Sequence, residues 1–241
     1  MSATPMSSPP PGALTVTSVR HPLTRALLLL TLTTGLVDAA SYLGIGHVFS
    51  ANMTGNIVLL GFGIARAGGL PVVAPLVSLG AFLIGAGTGG RLAAGIGARR
   101  RRHLLVASVA ETGVVLLAAV LAAAIHVRAG TFSGDLIIGL LAFGMGIRNA
   151  TVRTLAVPDL TTTVLTLTLT GLAAESPLFG GSGRGSARRG AAVVAMLAGA
   201  LIGALLLKTS LFLVLIAATV LVGATTLAYA RLAEEDSTSP R

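Results

Sequence analysis

The sequence predicts an all-α, polytopic transmembrane bundle of about six crossings, built as a three-plus-three inverted repeat with one broken or re-entrant segment in each half. Three observations lead there. Of 241 residues, 54% are hydrophobic and 10% charged, against roughly 25% charged in a soluble domain. Several apolar runs reach the ~20 residues that cross a bilayer as a helix, where barrel strands need only about ten. The basic residues collect between those runs, as they do in cytoplasmic loops. Backbone groups in lipid must be satisfied within the segment, which leaves helices.

Taken in order, residues 1–19 are rich in Ser, Thr and Pro and read as a disordered tail. Arg20 and Arg25 then precede the first apolar run, the outline of a signal peptide. The length of that run and the Asp38 inside it argue instead for a retained helix. Spans are expected at about 26–45, 72–93, 103–127, 134–154, 190–207 and 210–231. Residues 20–127 form the first repeat, 128–232 the second, and 233–241 a short cytoplasmic tail. Two further apolar stretches, 52–67 and 158–175, are shorter and richer in Thr, Asn and Gly. Charge decides whether they cross. If all eight did, one of the clusters Arg99–Arg102 or Arg184/Arg188/Arg189 would lie outside. With six crossings both clusters share the cytoplasmic side with both termini, in an inner-membrane protein, and only Arg66, Arg128 and Lys208 lie outside.

The same pattern accounts for the net charge of +9 and sequence pI of about 11.7, so nucleic acid is set aside as a partner. No Cys is present, which excludes disulfides and thiolate metal sites. His21, His47, His103 and His126 stand singly without ligand spacing, so no metal or cofactor is expected. Gly180-Gly181-Ser182-Gly183-Arg184-Gly185 lacks the Lys-Ser/Thr ending of a phosphate loop and reads as a flexible cytoplasmic linker, with Asp159 and Glu175 solvated nearby.

The chain repeats. Gly35-x-x-Asp38-Ala39 matches Gly146-x-x-Asn149-Ala150 at an offset of 111 residues. Met53–Ile57 then matches Leu165–Leu169 after a one-residue slip, and Gly85-x-x-x-Gly89 has its counterpart in Gly199-x-x-x-Gly203. Three crossings per half, an odd number, give the halves opposite orientation, the plan of many transporters with a site at the repeat interface. The small-residue pairs are expected to let helices pack closely.

The residues Gly35-Leu36-Val37-Asp38-Ala39 and Phe49-Ser50-Ala51-Asn52-Met53-Thr54-Gly55-Asn56 resemble the signature of the YoaK-like family of uncharacterised bacterial membrane proteins. Gly146-Ile147-Arg148-Asn149-Ala150 and Thr161-Thr162-Thr163-Val164-Leu165-Thr166 resemble its second signature. The similarity covers residues 25–232. Two departures stand out: Arg148 where the family usually has Gln, and Thr166-Leu167 where it has Thr-Gly. The resemblance implies a polytopic membrane protein and assigns no activity.

Asp38 is the first candidate for chemistry, because a charge near the bilayer centre costs roughly 3 kcal/mol or more and must face protein or water. It reads as a proton- or cation-coupling carboxylate, or as a structural one bonded to helix-end amides or to Asn149. Glu111 and Arg148 lie at similar depth and could form an intramembrane pair, a clamp or a gate; Arg148 could instead pair with Asp38 or extend towards the interface. Asn52, Thr54, Gly55 and Asn56 suit a broken helix whose free amides and carbonyls meet a solute, or an ordinary interfacial loop. The inner counterpart carries Thr161, Thr162, Thr163, Thr166, Thr168 and Thr170. Its period-two alternation would mean a strand in a soluble protein; in lipid it becomes a helix with Thr bonded back to carbonyls, or buried irregular backbone.

The expected function is secondary transport of a small solute, with a proton as candidate coupling ion. Its pathway is lined by Asp38, Asn52, Thr54, Gly55, Asn56, Asn149, Thr162, Thr163 and Thr166. The alternative is a non-transporting membrane assembly partner or sensor. No nucleophile–base pair or paired carboxylates are evident, so an enzyme is not expected. The partners are the lipid bilayer and an unidentified solute, with a homo-oligomer allowed. A topology reporter fused after Arg102 or Arg189 should read as cytoplasmic, and one after Gly69 or Arg128 as external. An external reading at either Arg cluster would overturn the six-crossing arrangement.

Overall fold

In the computed structural model, residues 19, 21–96, 100–155 and 165–238 are described, and among them are eight α-helices. The helices are α1 (Pro22–Ser41), α2 (Met53–Ile64), α3 (Val73–Ile96), α4 (Arg100–Ala124), α5 (Phe132–Leu155), α6 (Leu165–Ala174), α7 (Ser186–Leu207) and α8 (Leu211–Thr238). Six segments are long and apolar enough to cross a membrane: Pro22–Gly46, Val73–Ile96, Arg101–Ala124, Phe132–Thr154, Ser186–Leu207 and Leu211–Arg231. They fall within a few residues of the expected spans. The two intervening helices are shorter than a crossing over their described residues. At 1.5 Å per residue α2 extends about 18 Å and α6 about 15 Å, against a hydrocarbon core of ~30 Å.

Local chemistry sets the ends of α1. Pro22 opens it where a missing N–H costs nothing, and the His21 ring accepts the Leu23 amide at 3.2 Å. At its far end the helix loosens into a π-helical turn, Tyr42–Gly46, and stops at His47, which takes a left-handed conformation (φ 52°). The span begins four residues earlier than expected, so Asp38 lies about 24 Å from its start, past the midpoint. The chain then doubles back through Val48–Ala51 into α2.

The core lies among α1, α4, α5 and α8, where Leu36, Val37, Val115, Ile137, Leu141 and Leu215 are fully buried together. Helix α7 flanks this group against α1, and α3 flanks it against α5. The outward faces of the flanking helices carry exposed Leu83, Ile84, Val194 and Leu197, apolar side chains suited to lipid.

Glycine governs the two flanking contacts. A Cβ on Gly35 would fall 2.6 Å from the Ala200 amide nitrogen and against the backbone of Met196 and Gly199. A Cβ on Gly146 would fall 2.7 Å from the Ala86 nitrogen and against the backbone of Phe82 and Gly85. In return Gly199 and Gly203 sit on the backbone of Leu32 and Leu36, and Gly85 and Gly89 on that of Phe143 and Ile147. Every contact at one crossing has its counterpart at the other, 111 residues along for α1 to α5 and 114 for α3 to α7. The partners are exchanged between halves: α1 packs on α7 and α5 on α3. The expected close packing at the Gly85/Gly89 and Gly199/Gly203 pairs is present at both.

Adding a methyl at Gly85 or Gly199 forces two backbones apart, so Gly85→Ala and Gly199→Ala should each cost about 1–3 kcal/mol or more. Gly80→Ala and Gly87→Ala, whose surroundings are open, should be neutral or slightly stabilising. Thermal unfolding in detergent compares the four; equal stabilities would mean that the crossings are looser than described.

Candidate functional site: a cavity between two broken segments

Asp38 is buried, and its Oδ1 accepts the backbone N–H groups of Ser50 (3.0 Å) and Ala51 (2.8 Å). These amides belong to the returning loop, so the carboxylate pins the loop against α1. Hydrogen bonds to a charged acceptor contribute about 1.5–3 kcal/mol each. The Ser50 hydroxyl, in the same loop, is buried with no hydrogen-bond partner among the described residues.

Asn56 closes the loop from the other side. Its Oδ1 accepts the Phe49 N–H (2.8 Å), while its Nδ2 donates to the Phe49 carbonyl (2.6 Å) and to Ser78 Oγ (3.0 Å). Ser78 Oγ also donates to the Phe49 carbonyl (2.7 Å). Asn56 thus pairs with Phe49 as a neighbouring strand would and is fully buried. Asn52 caps α2 by accepting the Gly55 N–H at 3.1 Å. A Cβ on Gly55 would lie 2.9 Å from the Phe49 ring, so glycine lets that ring lie flat on the helix start. The Phe49 ring stacks on Tyr42, centroids 4.7 Å apart and planes 20° apart.

A cavity of about 750 Å³ opens beside this loop. Its walls bring Asn52, Thr54 and Gly55 of the first half together with Asn149 and Thr166 of the second. Five of the sequence-predicted pathway residues therefore meet at one place. Asp38 and Asn56 stand behind the wall rather than on it, where they hold the loop. Thr162 and Thr163, with Thr161, lie outside the described residues. Asn149 donates to the Met145 carbonyl (2.9 Å), and Asp38 takes amides of the returning loop rather than those of a helix end. The Thr-rich segment is helical from Leu165, with Thr170 bonded back to the Thr166 carbonyl (2.9 Å).

Sequence reasoning missed the apolar side of the cavity: Tyr42, Phe49, Phe82 and Met196. A signal was present for two of them. Phe82 precedes Gly85 by three residues and Met196 precedes Gly199 by three, so they hold matching positions at the two glycine crossings.

Glu111 and Arg148 form a buried, two-pronged ion pair: Nε donates to Oε2 at 3.0 Å, and the NH2 group meets Oε1. The NH1 group reaches across to α1, donating to the Leu30 carbonyl (2.7 Å) and Thr34 Oγ1 (3.0 Å). Arg148 therefore ties α5 to α4 and α1 and takes Glu111, not Asp38, as its partner. A second pair corrects the reading of the glycine-rich segment as a flexible linker. Arg189 grips the half-exposed Glu175 through both carboxylate oxygens at 2.9 Å, and the Gly183 N–H donates to the Glu175 carbonyl (2.8 Å). The segment forms a hydrogen-bonded turn, and position 181 in it has no room for a side chain, since a Cβ there would strike the Glu175 backbone.

Six apolar spans, with two short helices beside them, define a multi-pass α-helical membrane protein. Residues 26–228 match the family described as "Protein of unknown function (DUF1275)", and the chain belongs to that family. It is similar to the UPF0700 transmembrane protein YoaK of Bacillus subtilis (strain 168), 34% identical over 148 residues, 61% of this chain and 64% of the relative. The aligned part is thus a little under two thirds of that relative's length. No solved structure matches.

Removing either member of the Glu111–Arg148 pair strands a buried charge, at a cost of about 3–5 kcal/mol. Glu111→Leu and Arg148→Met should each lower thermal stability sharply, and the double variant should recover much of the loss. A double variant as unstable as the sum of the singles would show that the two charges act independently.

Proposed function

We propose that this protein is a secondary transporter of a small solute in the inner membrane, with both termini cytoplasmic and two oppositely oriented repeats around the solute cavity. The observation that carries the reading is the cavity itself: the broken segments of both halves, Asn52–Gly55 and Leu165–Thr166, line it together. A site shared by equivalent elements of two repeats is where alternating access places the solute. The matched glycine crossings support the reading further. They join α1 to α7 and α3 to α5 as two similar units, whose rocking would open the cavity to one face and then the other.

Asp38 is the coupling group in this scheme. Ionised, it accepts two amides with charge-assisted strength; protonated, it is a weaker acceptor for both. The loop it releases carries Phe49, Ala51 and Asn52, all in the cavity wall. Proton occupancy thereby reaches the solute site without Asp38 touching the solute.

The chain contains no Cys, so a single Met196→Cys supplies a clean reporter in the wall. A membrane-impermeant maleimide should label it in both right-side-out and inverted vesicles, with a balance that shifts with pH. Asp38→Asn, which keeps an acceptor oxygen for the loop amides, should fold and lose the pH response. Labelling from one face under all conditions favours the assembly partner or sensor instead, and an unchanged response in the Asn variant rules Asp38 out as the coupling site.

A further inference from the structure

The cavity wall has a narrow chemistry. The whole chain contains seven Phe, two Tyr and five Met, yet Tyr42, Phe49, Phe82, Met53 and Met196 all line this one space. They come from separate elements: the turn after α1, the returning loop, α2, α3 and α7. Tyr42 and Phe49 are already stacked and together present a two-ring slab, while Phe82 comes from α3. Thioether sulfur adds favourable contacts at the edges of aromatic rings.

Polar capacity in the wall is uncharged. Thr54 and Thr166, at equivalent places in the two halves, have hydroxyls without a hydrogen-bond partner among the described residues. Asn52 uses its oxygen on Gly55 and keeps its NH2 group available. Among the described lining residues there is no Asp, Glu, Lys, Arg or His. A charged ligand there would meet no counter-charge among the described lining residues. Behind the wall, the Asp38 oxygen is occupied by loop amides and the guanidinium of Arg148 by Glu111 and α1.

We infer that the ligand of this cavity is an uncharged, planar aromatic molecule with a hydrogen-bonding group, its rings among Tyr42, Phe49 and Phe82 and its polar group at Thr54 or Thr166. The volume of about 750 Å³ lies within the roughly 300–1,000 Å³ of sites for drug-sized molecules, so several fused rings fit. The inference rests on the transport reading for the identity of the site, and not on its movement.

Because the chain has no Trp, the emission of an indole probe belongs to the probe alone. Indole is titrated into the purified full chain in lipid nanodiscs, with empty nanodiscs as baseline and its charged aromatic relatives benzylammonium and phenylacetate, which lack the indole fluorophore, as competitors. The expected result is a saturable, blue-shifted signal of one probe per chain that neither charged relative displaces at equal concentration. Phe82→Leu, which keeps apolar bulk, and Thr166→Val, which keeps shape, should each weaken binding about 2- to 10-fold, the effect of one aromatic contact or one hydrogen bond. A signal that follows lipid content and matches empty nanodiscs overturns the inference, as does equal competition by a charged relative or unchanged affinity in both variants. The Met196→Cys labelling separates the two claims. Two-sided labelling without indole binding removes the aromatic ligand and leaves transport, whereas saturable indole binding in a chain labelled from one face does the reverse.

Discussion

Helix backbones in contact at the two glycine crossings are the constraint on which the rest of the structure depends. Side chains normally hold helix axes 8–10 Å apart; here Gly35 with Gly199 and Gly85 with Gly146 remove them from both sides of each crossing. In lipid this matters more than in water, because tails are as apolar as leucine and helix association rests on packing. Close crossings seat α7 on α1 and α3 on α5. That placement leaves α4 and α8 to meet each other and positions Phe82 and Met196 on the cavity.

Polar side chains in the spans complete what the glycines begin. Asp38 and Arg148 occupy nearly equivalent places, since Arg148 immediately precedes Asn149, the counterpart of Asp38. The two act differently. The carboxylate binds local backbone twelve and thirteen residues ahead, whereas the guanidinium bonds to two other helices. Such bonds answer the need that buried polar groups find partners within the protein. They also make the halves chemically unlike: one carries a loop latch, the other a strut through the bundle.

Much of the fold was legible because composition and run length are local properties. The six spans needed only apolar stretches of sufficient length, and the low polarity of α2 and α6 was offset by their shortness. The matched glycine crossings were legible because their spacing stands in the sequence, Gly35 against Gly146 and Gly85/Gly89 against Gly199/Gly203. Which helix packs on which was not legible: a repeat says that positions 35 and 146 are equivalent, but not that each pairs with the other's half. The cavity's aromatic side was hidden for a similar reason, since Tyr42, Phe82 and Met196 are spread across three spans and none looks unusual in its own. Asn56 misled because an amide in a turn suits solute binding and backbone mimicry equally, and only the position of Phe49 decides between them.

The exchanged partners also set an order of assembly in time. Gly85 and Gly146 are 61 positions apart and Gly35 and Gly199 are 164 apart. At the roughly 5–20 residues per second of synthesis, α5 follows α3 within about 3–12 s, whereas α1 waits about 8–33 s for α7. Of the two glycine crossings, the one that uses the first helix made is thus completed last. Asp38 does not share that wait, because Ser50 and Ala51 arrive within a few seconds of it. Two contacts that are equivalent in space are therefore unequal in biogenesis.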